Sequence, residues 1–229
     1  MQKHAEQIEL EAQRTNDTSQ PALPVYHRKF ANPAPLGLLS FATSVFLVSF
    51  TGVGTRGVEE PNIIITTMIF FGGVCQYISG IMEFVAGNTF GATVFSAYAG
   101  FNMAYAFIFI PSTGVLAAYS DPTTGKPLPE LDQALALLVW AWFIISVIFT
   151  VAATRASWAL LLTLGFFDLE ALLLAVGYMV GNSKVMLASR GVGFVVAFCA
   201  YWAGTAGLWG GGATMIKLPV GDLTHLRVD

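Results

Sequence analysis

Apolar residues run through this chain in long blocks, without the alternation that marks a half-exposed strand or the single stripe that marks a surface helix. The stretch 135–153 is apolar on nearly every face. A hydrocarbon core of about 30 Å takes roughly 20 predominantly apolar residues per helix. Blocks of that length, bounded by charge, proline or a Gly-Asn break, fall at 34–54, 62–86, 89–110, 132–152, 157–180 and 191–216. The uncharged run from Phe84 to Ser120 is too long for one span, and Pro111 divides it because proline cannot continue a helix interior. A membrane β-barrel would instead show segments of about ten residues alternating in polarity. The pattern predicts an all-α integral membrane protein with six transmembrane helices.

Charge agrees with that pattern. Only 11% of the 229 residues are charged, against about 25% in soluble domains, so a water-soluble globule is excluded. So apolar a chain has ample material to bury, which excludes disorder over most of its length. Fourteen acids outnumber 11 bases without a basic stripe, which excludes a nucleic-acid partner. Between Pro61 and Ser120 the one charged residue is Glu83.

Residues 1–31 differ in kind, being polar and mixed in charge, with no apolar core of the kind a signal peptide needs. They are expected to form a disordered, uncleaved tail ahead of a transport domain at 32–216 and a short tail at 217–229. With six spans both ends share one side. Lys3, Arg14, Arg28, Lys29, Arg155, Lys217 and Arg227 lie on that side, against Arg56, Lys126, Lys184 and Arg190 in the opposite loops. This excess places both termini in the cytoplasm and makes the 111–131 connection the main external loop.

Few chemistries are left open. No phosphate-binding loop, nucleophile elbow or His/Cys spacing occurs, and His4, His27 and His225 all lie in the tails. No enzyme, metal or cofactor is therefore expected. Cys75 and Cys199 sit inside spans and read as small apolar residues. Three stretches carry more. In Asn32-Pro33-Ala34-Pro35-Leu36-Gly37-Leu38, two prolines and a capping Asn open a helix whose free amides could face an anion. Near Glu83, Asn88 or Thr89 can cap a second such helix end, followed by Thr93, Ser96 and Tyr98. Glu83 itself reaches the interface or braces the turn, or else serves a solute or proton. In the fifth span, Asp168 and Glu170 stand two residues apart and so point about 200° apart on a helix. They cannot form one paired site, and each must be neutral, paired or wetted.

These stretches carry a resemblance. The Asn32 to Leu38 motif is similar to the signature of the acetate uptake transporter family, the succinate/acetate permeases of bacteria and their ammonia/acetate relatives in fungi. Glu83-Phe84, Gly87-Asn88-Thr89-Phe90-Gly91 and Phe95-Ser96-x-Tyr98 resemble its second hallmark. The resemblance covers roughly residues 30–216. It implies a six-helix protomer, a homohexamer in the plasma membrane, and a route through each protomer for acetate and related short monocarboxylates, with succinate at the edge of the range. On matching positions it implies a constriction of Phe41, Tyr98 and Phe167. The bacterial pattern has Leu where Phe167 stands and commonly an aromatic residue where Asn102 stands.

At neutral pH a short carboxylic acid is almost wholly anionic, since such groups titrate near 4 to 4.5. Helix-end amides and hydroxyls of Asn32, Thr43, Thr93, Ser96 and Tyr98 would take its charged end, with Pro33, Pro35, Leu36, Gly37, Asn88 and Thr89 shaping the route. Glu83, Asp168 or Glu170 would carry a proton, and symport and channel-like passage both stay open. The spacings Ala200-x-x-x-Gly204 and Gly207-x-x-x-Gly211 suit close helix packing within or between protomers. Ammonium or ammonia export, with Glu59 and Glu60 in an outer vestibule, and a non-transporting membrane sensor or scaffold are the other readings.

Overall fold

A computed structural model describes residues 31–58, 62–210 and 214–224. The expectations for residues 1–30, for Glu59 and Glu60, and for Gly211 fall outside the described residues. The described unit from Asn32 onward is built on helices: α1 Ala34–Gly52, α2 Asn62–Val85, α3 Thr89–Ile108, α4 Pro129–Ala153, α5 Trp158–Val180 and α6 Ser183–Trp209. Among the described residues, five helices are long and apolar enough to cross a membrane, namely all of these except α3. That helix carries Thr89, Thr93, Ser96, Tyr98, Asn102 and Tyr105 on 20 residues, which lowers its apolar content below that of a lipid-facing span.

Local sequence explains most boundaries. Pro129 opens α4 and Pro35 lies in the first turn of α1, where a missing N–H costs nothing. Asn88 caps α3 by accepting from the Gly91 N–H at 3.1 Å, and Ser157 caps α5 by accepting from the Leu160 N–H at 3.3 Å. The turn between α5 and α6 corrects the expected sixth span. Gly181 takes the left-handed conformation (φ 61°) that ends α5, and Asn182 then accepts from the Lys184 N–H at 3.0 Å to cap the next helix. Consequently α6 starts at Ser183, not at 191, and stops at Trp209, not at 216. Arg190, read from sequence as a loop residue, lies two turns inside the helix.

The 111–131 connection is ordered by its own turns. Asp121 accepts from the Thr123 and Thr124 N–H groups at 2.8 and 2.7 Å. Those bonds, Thr124's first, hold its carboxyl below the usual carboxylate range.

In the helix assembly, α1 runs along α6, α6 along α5 and α5 along α4, while α2 and α3 pair with each other and close against α1. The small residues of α6 serve this packing: Gly204 lies against Leu38 and Leu39 of α1, and Ala200 is fully buried. The described part of this small-residue spacing thus packs helices within the chain, the first of the two alternatives. Large apolar side chains such as Phe70, Leu137, Ile148 and Phe198 instead point outward, as lipid or neighbouring protomers require. After α6, the chain returns to the start of α5, where the Trp158 and Ala159 N–H groups donate to the Gly221 and Val220 carbonyls at 2.8 and 3.0 Å. Two amides that a helix start leaves unpaired are satisfied this way.

Midway along α2 the α-helix widens into a π-helical turn at Phe70–Cys75. A π-turn frees carbonyls from the regular ladder. Here the Gly72 carbonyl accepts from Asn102 Nδ2 of α3 at 2.9 Å. Gly72 must be glycine, because a Cβ there would fall on Ser44 Oγ of α1 and 2.8 Å from Asn102 Nδ2.

Candidate functional site

Three helices deliver one ring each to the middle of the assembly. Phe41 of α1, Tyr98 of α3 and Phe167 of α5 are all buried. Their centroids are separated by 5.2 Å (Phe41 to Tyr98), 5.5 Å (Phe41 to Phe167) and 5.2 Å (Tyr98 to Phe167). Each pair is thus in direct contact, within the 4.5 to 7 Å of favourable aromatic pairs. The Tyr98 hydroxyl shares a 2.9 Å hydrogen bond with Ser146 Oγ of α4, and its ring also meets Phe149. A polar anchor therefore fixes the central ring of an otherwise apolar plug.

A cavity lies on either side of this triad. One, of about 100 Å³, is lined by Leu38, Gln76, Asn88, Phe95 and Thr163 as well as Phe41 and Tyr98. The other, of about 60 Å³, is lined by Ser44, Asn102, Tyr105, Trp142, Glu170 and Arg190 together with all three rings. Both exceed the 10 to 15 Å³ that one water needs. Further spaces of about 180 and 450 Å³ share Arg190 with the lining of the second cavity. Phe41 and Tyr98 border both central cavities, and Phe167 borders the second.

Beside the rings runs a polar link. Asn102 Nδ2 donates to Gln76 Oε1 at 3.1 Å, and these two amides line opposite cavities. Gln76 is fully buried and its Nε2 has no hydrogen-bond partner, so a donor is left for a solute oxygen.

At the far end of the first cavity, Asn88 Nδ2 donates to Glu83 Oε2 at 2.6 Å while Asn88 Oδ1 holds the start of α3. Glu83 is 2% exposed and its Oε1 has no hydrogen-bond partner. It braces the turn from inside the protein and does not reach outward to an interface.

The other positions singled out from sequence are distributed as follows. Asn32 Oδ1 accepts from the Ala34 N–H at 3.1 Å at the start of α1. The Pro33 carbonyl accepts from Ser79 Oγ of α2 at 2.7 Å, and Gly37 packs between Ser79 and Phe95. Pro35 is buried and Leu36 exposed. This motif therefore seats α1 against α2 and α3, and Ala34 and Leu38 contribute its wall of the first cavity. Thr43 bonds the Leu39 carbonyl and the Tyr201 hydroxyl, which turns it toward α6. Thr89 and Thr93 are exposed, with the Thr93 hydroxyl donating to the Thr89 carbonyl at 2.8 Å. Ser96 Oγ is buried without a hydrogen-bond partner beside Gly80 of α2. None of these hydroxyls lines a central cavity. On α5 the two acids diverge as the 200° spacing requires. Glu170 lines the second cavity, whereas Asp168 lies outside its lining, with Oδ1 buried and lacking a hydrogen-bond partner.

Gln76 was not singled out from sequence, Asn102 stood out only as a departure from the family pattern, and Arg190 read as a loop cation. A signal existed for the amides, since polar side chains inside spans are costly and usually have a partner or a task. Arg190 was hidden because a cation ordinarily marks the end of a span, and only the Gly181-Asn182 turn shows that the helix has already begun.

Known proteins bear on this geometry. The chain is 35% identical over 204 residues to acetate permease A of Emericella nidulans, covering 84% of this chain and 66% of that protein. It is 36% identical over 195 residues to ammonia transport outward protein 2 of Saccharomyces cerevisiae, covering 83% and 66%. The chain thus spans about two thirds of the length of these fungal relatives. The solved structure of the bacterial acetate channel SatP superposes with a TM-score of 0.72 at 25% identity, covering 84% of this chain and all of that one. Residues 15–225 match the GPR1/FUN34/yaaH family, and the chain belongs to that family.

Proposed function

We propose that this chain transports acetate and related short monocarboxylates across the plasma membrane through the interior of each protomer. The observation that carries the reading is the aromatic triad with a cavity on either side. Two chambers divided by movable side chains suit stepwise passage of a small solute. Apolar walls take the methyl end. The amides of Gln76 and Asn102 and the Tyr98 hydroxyl take the carboxylate end. With the rings in contact, passage requires at least one of them to swing aside, a rotamer motion and not a rearrangement of helices.

In this reading α3 is the sixth span. Its Tyr98, Asn102 and Tyr105 are turned to the route, a placement that backbone satisfaction within a helix permits. Six spans keep both termini on the cytoplasmic side. With Arg190 removed from the external loops, the Lys/Arg balance becomes 7 against 3, which strengthens that orientation. The outward apolar side chains are buried by lipid and by sister protomers in a homohexamer.

The direct test is uptake of labelled acetate by proteoliposomes holding the purified full chain, corrected for protein-free vesicles. Uptake that saturates with acetate and is slowed by bulkier monocarboxylates is expected. Correctly folded protein that moves no acetate would falsify the reading, and movement of ammonium in its place would favour the export activity for which the yeast relative is named.

A further inference from the structure

Arg190 and Glu170 have no part in the passage described above, yet both line the cavity beyond the triad, on the adjacent helices α6 and α5. Arg190 also lines two further spaces, so one guanidinium borders three cavities. A guanidinium inside a span is costly and is kept only where it meets polar groups or water. Its neighbours are the hydroxyls of Tyr105 on α3 and Tyr178 on α5, and the Glu170 carboxyl. Glu170 is itself 5% exposed. Its Oε1 rests against Gly193 of α6, at 2.8 Å from where a Cβ would stand, and its Oε2 is buried with no hydrogen-bond partner. Ser49 Oγ of α1 reaches the same glycine and also lacks a partner. One cation and one carboxyl with unused bonding capacity therefore share one cavity, and a spare hydroxyl lies beside the carboxyl at Gly193. That combination matches a small carboxylate better than any neutral solute.

We propose that this cavity is a carboxylate-binding site in which Glu170 and the solute compete for Arg190, so that anion binding is tied to protonation of Glu170. Ionised Glu170 neutralises the guanidinium and repels a second anion, and the solute leaves. When Glu170 carries a proton, Arg190 is free to bind the solute, and the Glu170 O–H becomes a donor to it. One proton and one monocarboxylate then occupy the site together. Arg190 of α6 is the ionisable group that acts on Glu170 directly; Tyr105 of α3 and Tyr178 of α5 adjoin Arg190, Asp132 of α4 acts on Tyr178, and Asp168 stands two residues from Glu170 on the same helix. Helix α1 has none, and Glu83 of α2 lies at the other cavity. Among such groups, carboxyls are those that ordinarily titrate below pH 8, and a substitution at Glu170 separates it from the two aspartates. The proposal rests on the carboxylate-transport reading and adds the residue that holds the anion and the one that couples it to a proton.

The test measures binding, so that it stands apart from transport. Sodium acetate is titrated into the detergent-solubilised full chain at pH 6 and pH 8 and followed by tryptophan fluorescence, Trp142 being in the cavity wall. Acetate stays almost wholly anionic across this range, since its carboxyl titrates well below it. Wild-type affinity is expected to fall about tenfold or more from pH 6 to pH 8, the worth of one charge-assisted contact. Glu170→Gln should bind with the same affinity at both pH values within about twofold, and Arg190→Gln should bind about tenfold more weakly at pH 6. The double variant Glu170→Gln/Arg190→Gln leaves neither charge alone. Its comparison with Glu170→Gln therefore measures Arg190 even where the single Arg190→Gln chain does not fold. Wild-type binding indifferent to pH, a Glu170→Gln chain that keeps the wild-type pH response, or a double variant as tight as Glu170→Gln each overturns the proposal. Binding that behaves as expected in protein that moves no acetate overturns only the transport reading.

Discussion

Tyr98 stands at the centre of the molecule because three of its atoms' environments are fixed from three directions. Its ring touches Phe41 and Phe167, its edge meets Phe149, and its hydroxyl bonds Ser146. Removing the hydroxyl alone, in Tyr98→Phe, is expected to cost about 1 kcal/mol of stability, the usual worth of one buried hydrogen bond. Tyr98→Ala removes the ring and joins the two cavities, at about 3 to 5 kcal/mol. Thermal unfolding checks both values. In uptake assays the alanine variant should pass acetate faster and admit longer monocarboxylates such as butyrate, while wild-type rates and substrate range in it would remove the triad as the barrier. The ring positions were legible through resemblance to a family pattern, on motifs anchored at Asn32 and Asn88. Arg190 was not, because a cation at the end of an apolar block looks like a boundary until the Gly181 conformation is known.

Elements were legible where local chemistry ends them. The starts of α1, α2, α3 and α5 lie within a residue of the boundaries expected from proline, charge and capping residues, and α5 ends at residue 180 as expected. Irregularity inside an element was not legible. The π-turn of α2 depends on Asn102 from another helix capturing the Gly72 carbonyl, and no pattern within α2 records that bond. Gly72→Ala is therefore expected to destabilise the protein by about 1 to 3 kcal/mol, the range for overpacking a filled interior, and to lower acetate uptake by displacing Asn102 and Gln76. The check is the unfolding midpoint in detergent alongside uptake. A variant with wild-type values for both would mean that the π-turn and its amide link are dispensable. Part of the polarity of α3 has the same origin, since Tyr98 bonds Ser146 of α4 and Asn102 bonds Gly72 and Gln76 of α2.

For the whole molecule the question is what covers its outward apolar surface. Side chains of α2, α4 and α6 such as Phe70, Leu137, Ile144, Ile148 and Phe198 lie at the protomer surface. Lipid can cover all of it, whereas the proposed homohexamer would bury part of it between neighbouring copies. Native mass spectrometry of the detergent-solubilised chain should show six copies of the 24.5 kDa protomer. A monomer with full acetate uptake would separate function from assembly. The small-residue spacing of α6 is a poor guide here, since Ala200 and Gly204 are already spent on contacts within the protomer.

Sequence by itself determined the helical, membrane-spanning class of this protein, the number of apolar blocks and most of their limits. These follow from the cost of placing charge and unpaired backbone in hydrocarbon, a cost that every residue meets locally. The tertiary structure alone decided which polar groups face the interior. The rotation of each helix about its axis is set by packing against its neighbours, and that rotation turned Thr43 and Thr93 away while bringing Gln76, Asn102, Glu170 and Arg190 to the cavities. The low charge of the chain is therefore distributed unevenly for a reason. Glu170 and Arg190 lie within helices and line one internal cavity, a setting that lets both meet polar groups.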